Sequence, residues 1–277
     1  MNDSARGHAW KYVAVYYAIA CGVSWVLWLP LVLGFDGLKV IRAAPSLPVF
    51  VSLGTLGPLV ASYVAHRLSD GNWRAVRLFP SPAAQWLWAV LGPLLVIFCF
   101  FVLFPALLSD GPPQGWKWRP ASLAGLPVPM FNYNLLAGPL FEEFGWRGFL
   151  LPRLQRLLPA WMAAAVVGLL WAAWHLPLFL LQNWSSASPL VYLVIVTGFS
   201  LVIAFGYNSS GGSVLVAILM HSAFNASPRF LGEYLGSTPT RNYPDATWYI
   251  AAAFLLGGLG CVVASRGRMT VSPGGLG

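Results

Sequence analysis

Ionisable side chains are scarce in this chain. Only 9% of its 277 residues are charged, against about 25% in an ordinary soluble domain. With 58% hydrophobic residues and a mean hydropathy of +0.68, that shortage excludes a soluble globular protein. Cysteine is also rare. Cys21, Cys99 and Cys261 all lie in apolar stretches without C-x-x-C spacing, which excludes a disulfide framework or thiolate metal site and predicts inert core thiols. Lysine occurs only as Lys11, Lys39 and Lys117. Together with the richness in Ala, Gly, Pro and Trp, this gives the chain a prokaryotic look. Internal repeats, low-complexity tracts and a composition break are missing as well, so a single transmembrane domain is expected over 1–277.

What is present is a series of uncharged runs: Tyr12 to Phe35, Ala43 to Ala65, Leu78 to Ser109, Pro120 to Phe141, Leu157 to Trp174, Leu176 to Met220 and Ala246 to Ser265. A spanning helix needs about 20 apolar residues. The longest run is broken by polar and Gly-rich stretches near 182–189 and 206–212. The sequence therefore predicts an all-α polytopic membrane protein, a bundle of about eight helices near 12–34, 46–66, 85–108, 126–144, 160–181, 189–206, 213–228 and 246–265. A short basic amphipathic piece over 147–158 is expected at the interface. The first run exceeds the 7 to 15 residues of a signal-peptide core and no clear cleavage site follows it, so it reads as the first span.

With eight spans both termini share a side. Placing them in the cytoplasm puts Arg6, Lys11, Arg67, Arg74, Arg77, Arg147, Arg153, Arg156, Arg266 and Arg268 inside, against Lys39, Arg42, Lys117, Arg119, Arg229 and Arg241 outside. The positive-inside rule favours that orientation. Basic loops beside anionic lipid account for the net charge of +8 without nucleic acid. The expected location is a bacterial inner (plasma) membrane, and the oligomeric state is not readable.

Against this apolar background a few polar residues stand out. Glu142 and Glu143 end the uncharged run from Pro120 to Phe141, and carboxylates at membrane depth are costly enough that function is the default explanation. Glu143 and Arg147 are at i,i+4, the spacing of a helical ion pair. Successive helical side chains diverge by about 100°, so Glu142 points elsewhere. In a partly dry cavity it is suited to take a proton from water. His175 follows Trp171 by four residues, which sets indole and imidazole on one face. His221 and Asn225 share a face in the same way, and two neutral donors converging on a point suit an oxyanion. Each element alone has a plain structural reading: an interfacial charge anchor for the Glu pair, a backbone-bonded core histidine for His175, an interhelical hydrogen bond for His221 and Asn225.

In this order the three elements resemble the CPBP family, the type II CAAX prenyl endopeptidases and their bacterial Abi-type relatives. The family's E-E-x-x-x-R matches Glu142, Glu143 and Arg147. Its aromatic-x-x-x-H matches Trp171 and His175, with Trp in place of the commoner Phe, and its H-x-x-x-N matches His221 and Asn225. The motif-bearing core covers 126–228. The resemblance implies an eight-helix bundle holding an intramembrane endopeptidase site, in which Glu142 and His175 activate water, His221 and Asn225 stabilise the oxyanion, and Glu143 with Arg147 supports them. Trp146, Phe149, Trp171 and Trp174 are candidates for a pocket that takes a lipidated or apolar membrane-associated peptide. No cofactor is favoured. The alternative is a zinc held by Glu142, His175 and His221, although H-E-x-x-H is missing and no further carboxylate would remain as base. A non-catalytic scaffold or bacteriocin-immunity protein predicts damaged motifs, and a proton-coupled transporter predicts inverted repeats; the sequence shows neither. If the termini are cytoplasmic, Glu142 falls near the cytoplasmic end of the fourth helix, so a water-filled cavity open to the cytoplasm is expected.

Overall fold

The structure, a computed structural model, describes residues 3–42, 44–69, 73, 76–81, 83–107, 133–136, 138–182, 184–234 and 246–270. They form helices α1 (Asp3–Leu33), α2 (Leu47–Gly54), α3 (Leu56–Ser69), α4 (Trp88–Phe98), α5 (Tyr133–Leu136), α6 (Pro139–Gly145), α7 (Ala160–Trp174), α8 (Pro189–Ser209), α9 (Val214–Tyr234) and α10 (Ala246–Ala264). Among the described residues six stretches are long and apolar enough to cross a membrane: Gly7–Leu33, Leu47–Ser69, Ala83–Ala106, Ala160–Leu180, Pro189–Ser209 and Ala246–Ala264, with a shorter apolar helix at Val214–Pro228. The chain is an all-α polytopic membrane protein. Its outer surface suits lipid, since Val26, Val90, Leu190 and Val263 stand exposed on it, as expected where hydrocarbon replaces water as the solvent.

Helix α8 is the centre of the bundle: 72% of its apolar window is buried, against 33 to 50% for the other spans. Small residues let its neighbours come close, the usual device where lipid removes the hydrophobic drive between helices. A side chain at Gly198 would meet the α10 backbone, 2.6 Å from the Phe254 carbonyl carbon, and Gly258 of α10 faces the Gly198 carbonyl in return. On the other side, Gly168 of α7 abuts Thr197. Gly145 packs α6 against Pro58 of α3 and against Tyr16 of α1.

Proline and glycine break the spans where the site will lie. The second span is interrupted at Thr55, between α2 and α3, where Ser24 donates to the Gly54 carbonyl at 2.7 Å and the Trp28 indole to the Val51 carbonyl at 3.3 Å. Leu176–Leu180 tightens into a 3-10 turn, because Pro177 cannot continue the α-helical hydrogen bonding of α7. The expected fourth helix differs most. Its first part, 126–132, lies outside the described residues. The rest is α5, then a break before Pro139, then α6 running on through a π turn at Trp146–Leu150 to Leu154. The piece expected at the interface over 147–158 is instead packed in the core through Leu154, with Arg147, Phe149, Leu150, Leu151 and Leu154 all at 0% exposure. Its apolar side chains outnumber the charges, and Arg147 has a buried partner on the preceding turn.

Two faces close the bundle. One carries the start of α1, the ends of α3 and α8, the start of α9 and residues 265–270. It is tied together by Arg153 Nη2 donating to Ser69 Oγ at 2.9 Å, Val214 N to the Arg77 carbonyl at 2.9 Å, and Arg77 Nη1 to the Gly211 carbonyl at 3.0 Å. The opposite face carries residues 34–42, 44–46, 176–182 and 184–188, joined by Gln182 N donating to the Asp36 carbonyl at 3.0 Å.

If the α8–α10 approach depends on bare backbone, Gly198→Val destabilises by roughly 1 to 3 kcal/mol, seen as a melting temperature several degrees lower in detergent. Gly260→Val on the same helix pair, where a side chain would meet nothing within 4 Å, leaves melting unchanged. Equal melting of the two variants would show that the close approach is not limiting.

Candidate active site

Helices α6, α7 and α9 bring the three sequence elements together. Pro139 opens α6, its fixed φ and missing N–H fitting a first-turn position, and the Gly138 carbonyl accepts from Glu142 N at 2.9 Å. A side chain at Gly138 would come within 2.6 Å of Glu142 Oε1, so glycine there leaves the carboxylate its space. His175 caps the C-terminus of α7, where Pro177 turns the chain. His221 and Asn225 sit one turn apart on α9.

Glu142, His175, His221 and Asn225 all line one cavity of about 220 Å³. Its wall is otherwise mostly aromatic: Trp28 from α1, Trp171 and Trp174 from α7, Trp184 from the following segment, and Tyr192 and Phe199 from α8. Of the four pocket aromatics expected from sequence, Trp171 and Trp174 belong to this wall. Trp146 and Phe149 do not line it: both are fully buried against Tyr16, with Phe149 also against His66 and Trp146 directly behind the wall, its ring against Trp171 and Trp174. The π turn that carries them directs them into the core beside α1 and α3.

The two glutamates divide as their helical phase predicts. Glu142 accepts a hydrogen bond at 2.7 Å from the indole Nε1 of Trp171, so the motif aromatic is a donor as well as a wall. Glu143 is completely buried, and both its oxygens lie 3.0 Å from Arg147 Nη1. Arg147, equally buried, reaches Ser200 Oγ at 3.3 Å through Nη2, and Ser200 donates in turn to the Ala164 carbonyl at 2.8 Å. Its guanidinium carbon stands 4.6 Å above the Trp171 ring, a cation–π arrangement.

The structure adds a link that the spacing did not reveal: Glu143 Oε1 is 2.8 Å from His221 Nδ1. A carboxylate only accepts, so the proton lies on Nδ1. In the neutral ring Nε2 then carries a lone pair, and His221 donates to an oxyanion only when both ring nitrogens are protonated. This corrects the picture of two neutral donors. His175 is set the same way, Nδ1 donating to the Trp171 carbonyl at 2.9 Å, which leaves Nε2 as an acceptor. Helical spacing could flag the Glu143–Arg147 pair, but the Glu143–His221, Trp171–Glu142 and Ser200–Arg147 contacts join elements up to 78 residues apart and carry no local signal.

The zinc alternative needs Glu142, His175 and His221 as a three-ligand set. Among the described residues no group of three His, Cys, Asp or Glu side chains is placed to hold one metal ion, and one oxygen of Glu142 is already taken by Trp171.

The cavity's position also departs from expectation. Glu142 begins the α6–Leu154 segment rather than ending it, because the fourth helix breaks before Pro139. It stands about 18 Å of helix rise from Leu154, near which Arg153 meets Ser69 on the terminal face. Trp28, Val51, His175 and Tyr192 all lie within a few residues of the opposite face. The cavity therefore sits toward the face that carries Asp36 and Gln182, away from the face that carries Ser69 and Arg153.

Residues 124–227 match the family described as "Type II CAAX prenyl endopeptidase Rce1-like". A CAAX prenyl protease 2 from Methanococcus maripaludis is 28% identical over 112 residues, covering 38% of this chain and 41% of that relative. The chain thus aligns with less than half of the relative's length. The matched stretch holds all seven motif positions, and both matches support the resemblance to the CPBP family.

Proposed function

We propose that the chain is an intramembrane endopeptidase of the glutamate type, acting on a membrane-associated protein or peptide. The observation that carries this reading is the convergence of Glu142, His175, His221 and Asn225, from three helices, on one aromatic-walled cavity. Water held between Glu142 and His175 Nε2 gives a proton to Glu142 as its oxygen attacks the scissile carbonyl. Trp171 keeps the Glu142 carboxylate in position, so little reorganisation is needed at the moment of reaction. The tetrahedral oxyanion accepts from the Asn225 amide and from Nε2 of doubly protonated His221, whose Nδ1–H is held by Glu143. Glu142 then returns its proton to the leaving nitrogen, the C–N bond breaks, and acid and amine products separate. Arg147 neutralises Glu143 and keeps that support ionised in a dry core.

The apolar wall favours a substrate that is lipidated, CAAX-like, or apolar in its own right. A scaffold or immunity role would not require Trp171, Glu143 and Gly138 to position the polar groups so closely. A transporter would spread its polar residues over two repeats.

Glu142→Gln is expected to abolish proteolysis while the protein stays folded in detergent. Glu143→Ala should cost about 3 to 5 kcal/mol, because it strands Arg147 in the core, and should lower melting temperature and yield. Matching behaviour of the two variants would refute the division of labour. The comparison is made by melting curves alongside membrane proteomics for uncut precursors.

For Asn225→Ala, loss of one oxyanion donor predicts a fall of about 10²-fold in kcat with KM little changed. A loss confined to KM would make Asn225 a substrate-binding residue. Metal content and zinc titration of wild type and His221→Ala address the remaining alternative: the glutamate mechanism expects activity unaffected by chelation, and stoichiometric zinc lost in His221→Ala would overturn it.

A further inference from the structure

A second cavity, of about 390 Å³, opens on the face that carries Ser69 and Arg153, at the other end of α8 from the site described above. Four separate stretches build it: Gln155 after α6, Ala160 at the start of α7, Tyr207 and Asn208 at the end of α8, and Arg268 and Thr270 beyond α10. Its volume falls within the roughly 300 to 1,000 Å³ of small-molecule pockets. Among the described residues no carboxylate lines it.

Three of its features suit an anion. The guanidinium of Arg268 is exposed, and no ion pair joins it to a described carboxylate. Ala160 opens α7 after Pro159, which provides no side-chain cap, so the N–H groups of the first turn lack an intrahelical acceptor at the positive end of a 15-residue helix. Gln155 Nε2 is buried without a hydrogen-bond partner, a state that costs stability unless a ligand supplies the acceptor. A second cation stands beside the wall, since Arg77 Nη1 donates to the carbonyl of Gly211, another lining residue, at 3.0 Å.

The backbone is held so as to present Arg268. Arg266 (φ 50°), Gly267 (φ 76°) and Met269 (φ 55°) all lie in the left-handed region, which residues other than glycine seldom adopt. Ser265 Oγ accepts from Met269 N at 3.0 Å and donates to the Cys261 carbonyl at 2.6 Å, and the Met269 side chain is fully buried. Arg268 therefore rides on a fixed hook. Backbone strain kept in this way is often put to functional use.

The surroundings point to the kind of anion. Trp161 is 42% exposed beside Gly267, where a side chain would come within 3.3 Å of the indole. Met162 on the same turn and Val263 on the last turn of α10 are exposed as well. An exposed tryptophan at the end of an apolar helix sits at the headgroup level of a bilayer, where basic pockets between helices take phosphate-bearing lipid headgroups.

We propose that this cavity binds the headgroup of an anionic phospholipid, with its phosphate against Arg268 and the start of α7 and its polar remainder on Gln155, Tyr207 and Asn208. The lipid ties α7, α8 and the hook after α10 together. The site is separate from the Glu142 cavity and does not rest on the endopeptidase reading.

The test uses the full chain, delipidated in detergent and titrated with phosphatidylglycerol, with phosphatidylcholine of the same acyl chains, or with inorganic phosphate. Bound lipid is read by native mass spectrometry and its effect by melting temperature. The expected result is one preferentially retained phosphatidylglycerol and a melting temperature raised by several degrees, with less binding of phosphatidylcholine and no shift from inorganic phosphate. Arg268→Gln weakens phosphatidylglycerol binding by at least about 10-fold, whereas Arg266→Gln, which removes an exposed charge outside the lining, leaves it unchanged. Gln155→Met weakens lipid binding without lowering the melting temperature of the lipid-free protein, because it deletes an unpaired donor. Glu142→Gln binds the lipid as wild type does, so loss of the endopeptidase reading would leave this one standing. The proposal is overturned by equal losses in the two arginine variants, which would make the attraction diffuse, or by equal or absent retention of the two lipids. It is overturned too by a phosphate-induced shift matching that of the lipid, which would make this a free-phosphate site, or by lower lipid-free melting of Gln155→Met.

Discussion

The buried carboxylate of Glu143 is the point on which the site depends. It has no exposure, and an ion taken out of water at that depth costs several kcal/mol unless its oxygens are satisfied. Arg147 satisfies both oxygens from the next turn of the same segment, and His221 approaches one of them from α9. One side chain thereby joins α6 to α9, sets the tautomer of an imidazole that faces the cavity, and fixes a guanidinium whose second nitrogen reaches α8 through Ser200. Removing it would leave a cation and an imidazole without their acceptor in a medium that supplies no replacement.

Around that point the bundle solves a general problem of membrane interiors, where irregular backbone is tolerated only if protein buries it or it lines a polar cavity. The break at Thr55, the turn after His175 and the start of α6 after Gly138 are three such irregularities, and Thr55, His175 and Glu142 all border the same cavity. Glycine and proline interrupt helices where polar groups must be presented, and Gly198, Gly258 and Gly168 keep the helices behind them close enough to exclude lipid.

The aromatic lining has two physical roles. Trp171 donates to Glu142 and carries Arg147 over its face, so its ring couples the proposed base to the ion pair. Trp174, Trp28 and Trp184 surround His175 at ring separations of 4.6 to 6.3 Å, giving a low-dielectric surround in which each polar contact is stronger than in water.

Much of this molecule is legible along the chain, because membrane helices declare themselves by length and hydropathy and because i,i+4 geometry is local. The spans near 12–34, 85–108, 189–206 and 246–265, the Glu143–Arg147 pair and the shared faces of Trp171 with His175 and His221 with Asn225 all follow from one helix at a time. Tertiary structure decided what local periodicity cannot: that Glu143 serves His221 as well as Arg147, that Trp171 donates to Glu142, and that Ser200 and Gly138 support the carboxylates. It also decided depth. Helix counting set Glu142 at the end of a continuous fourth span. The break before Pro139 and the π turn after Gly145 instead place it at the start of a descending segment, because a backbone interruption resets where along the bundle a residue falls, and only packing against α1, α3 and α9 fixes that position.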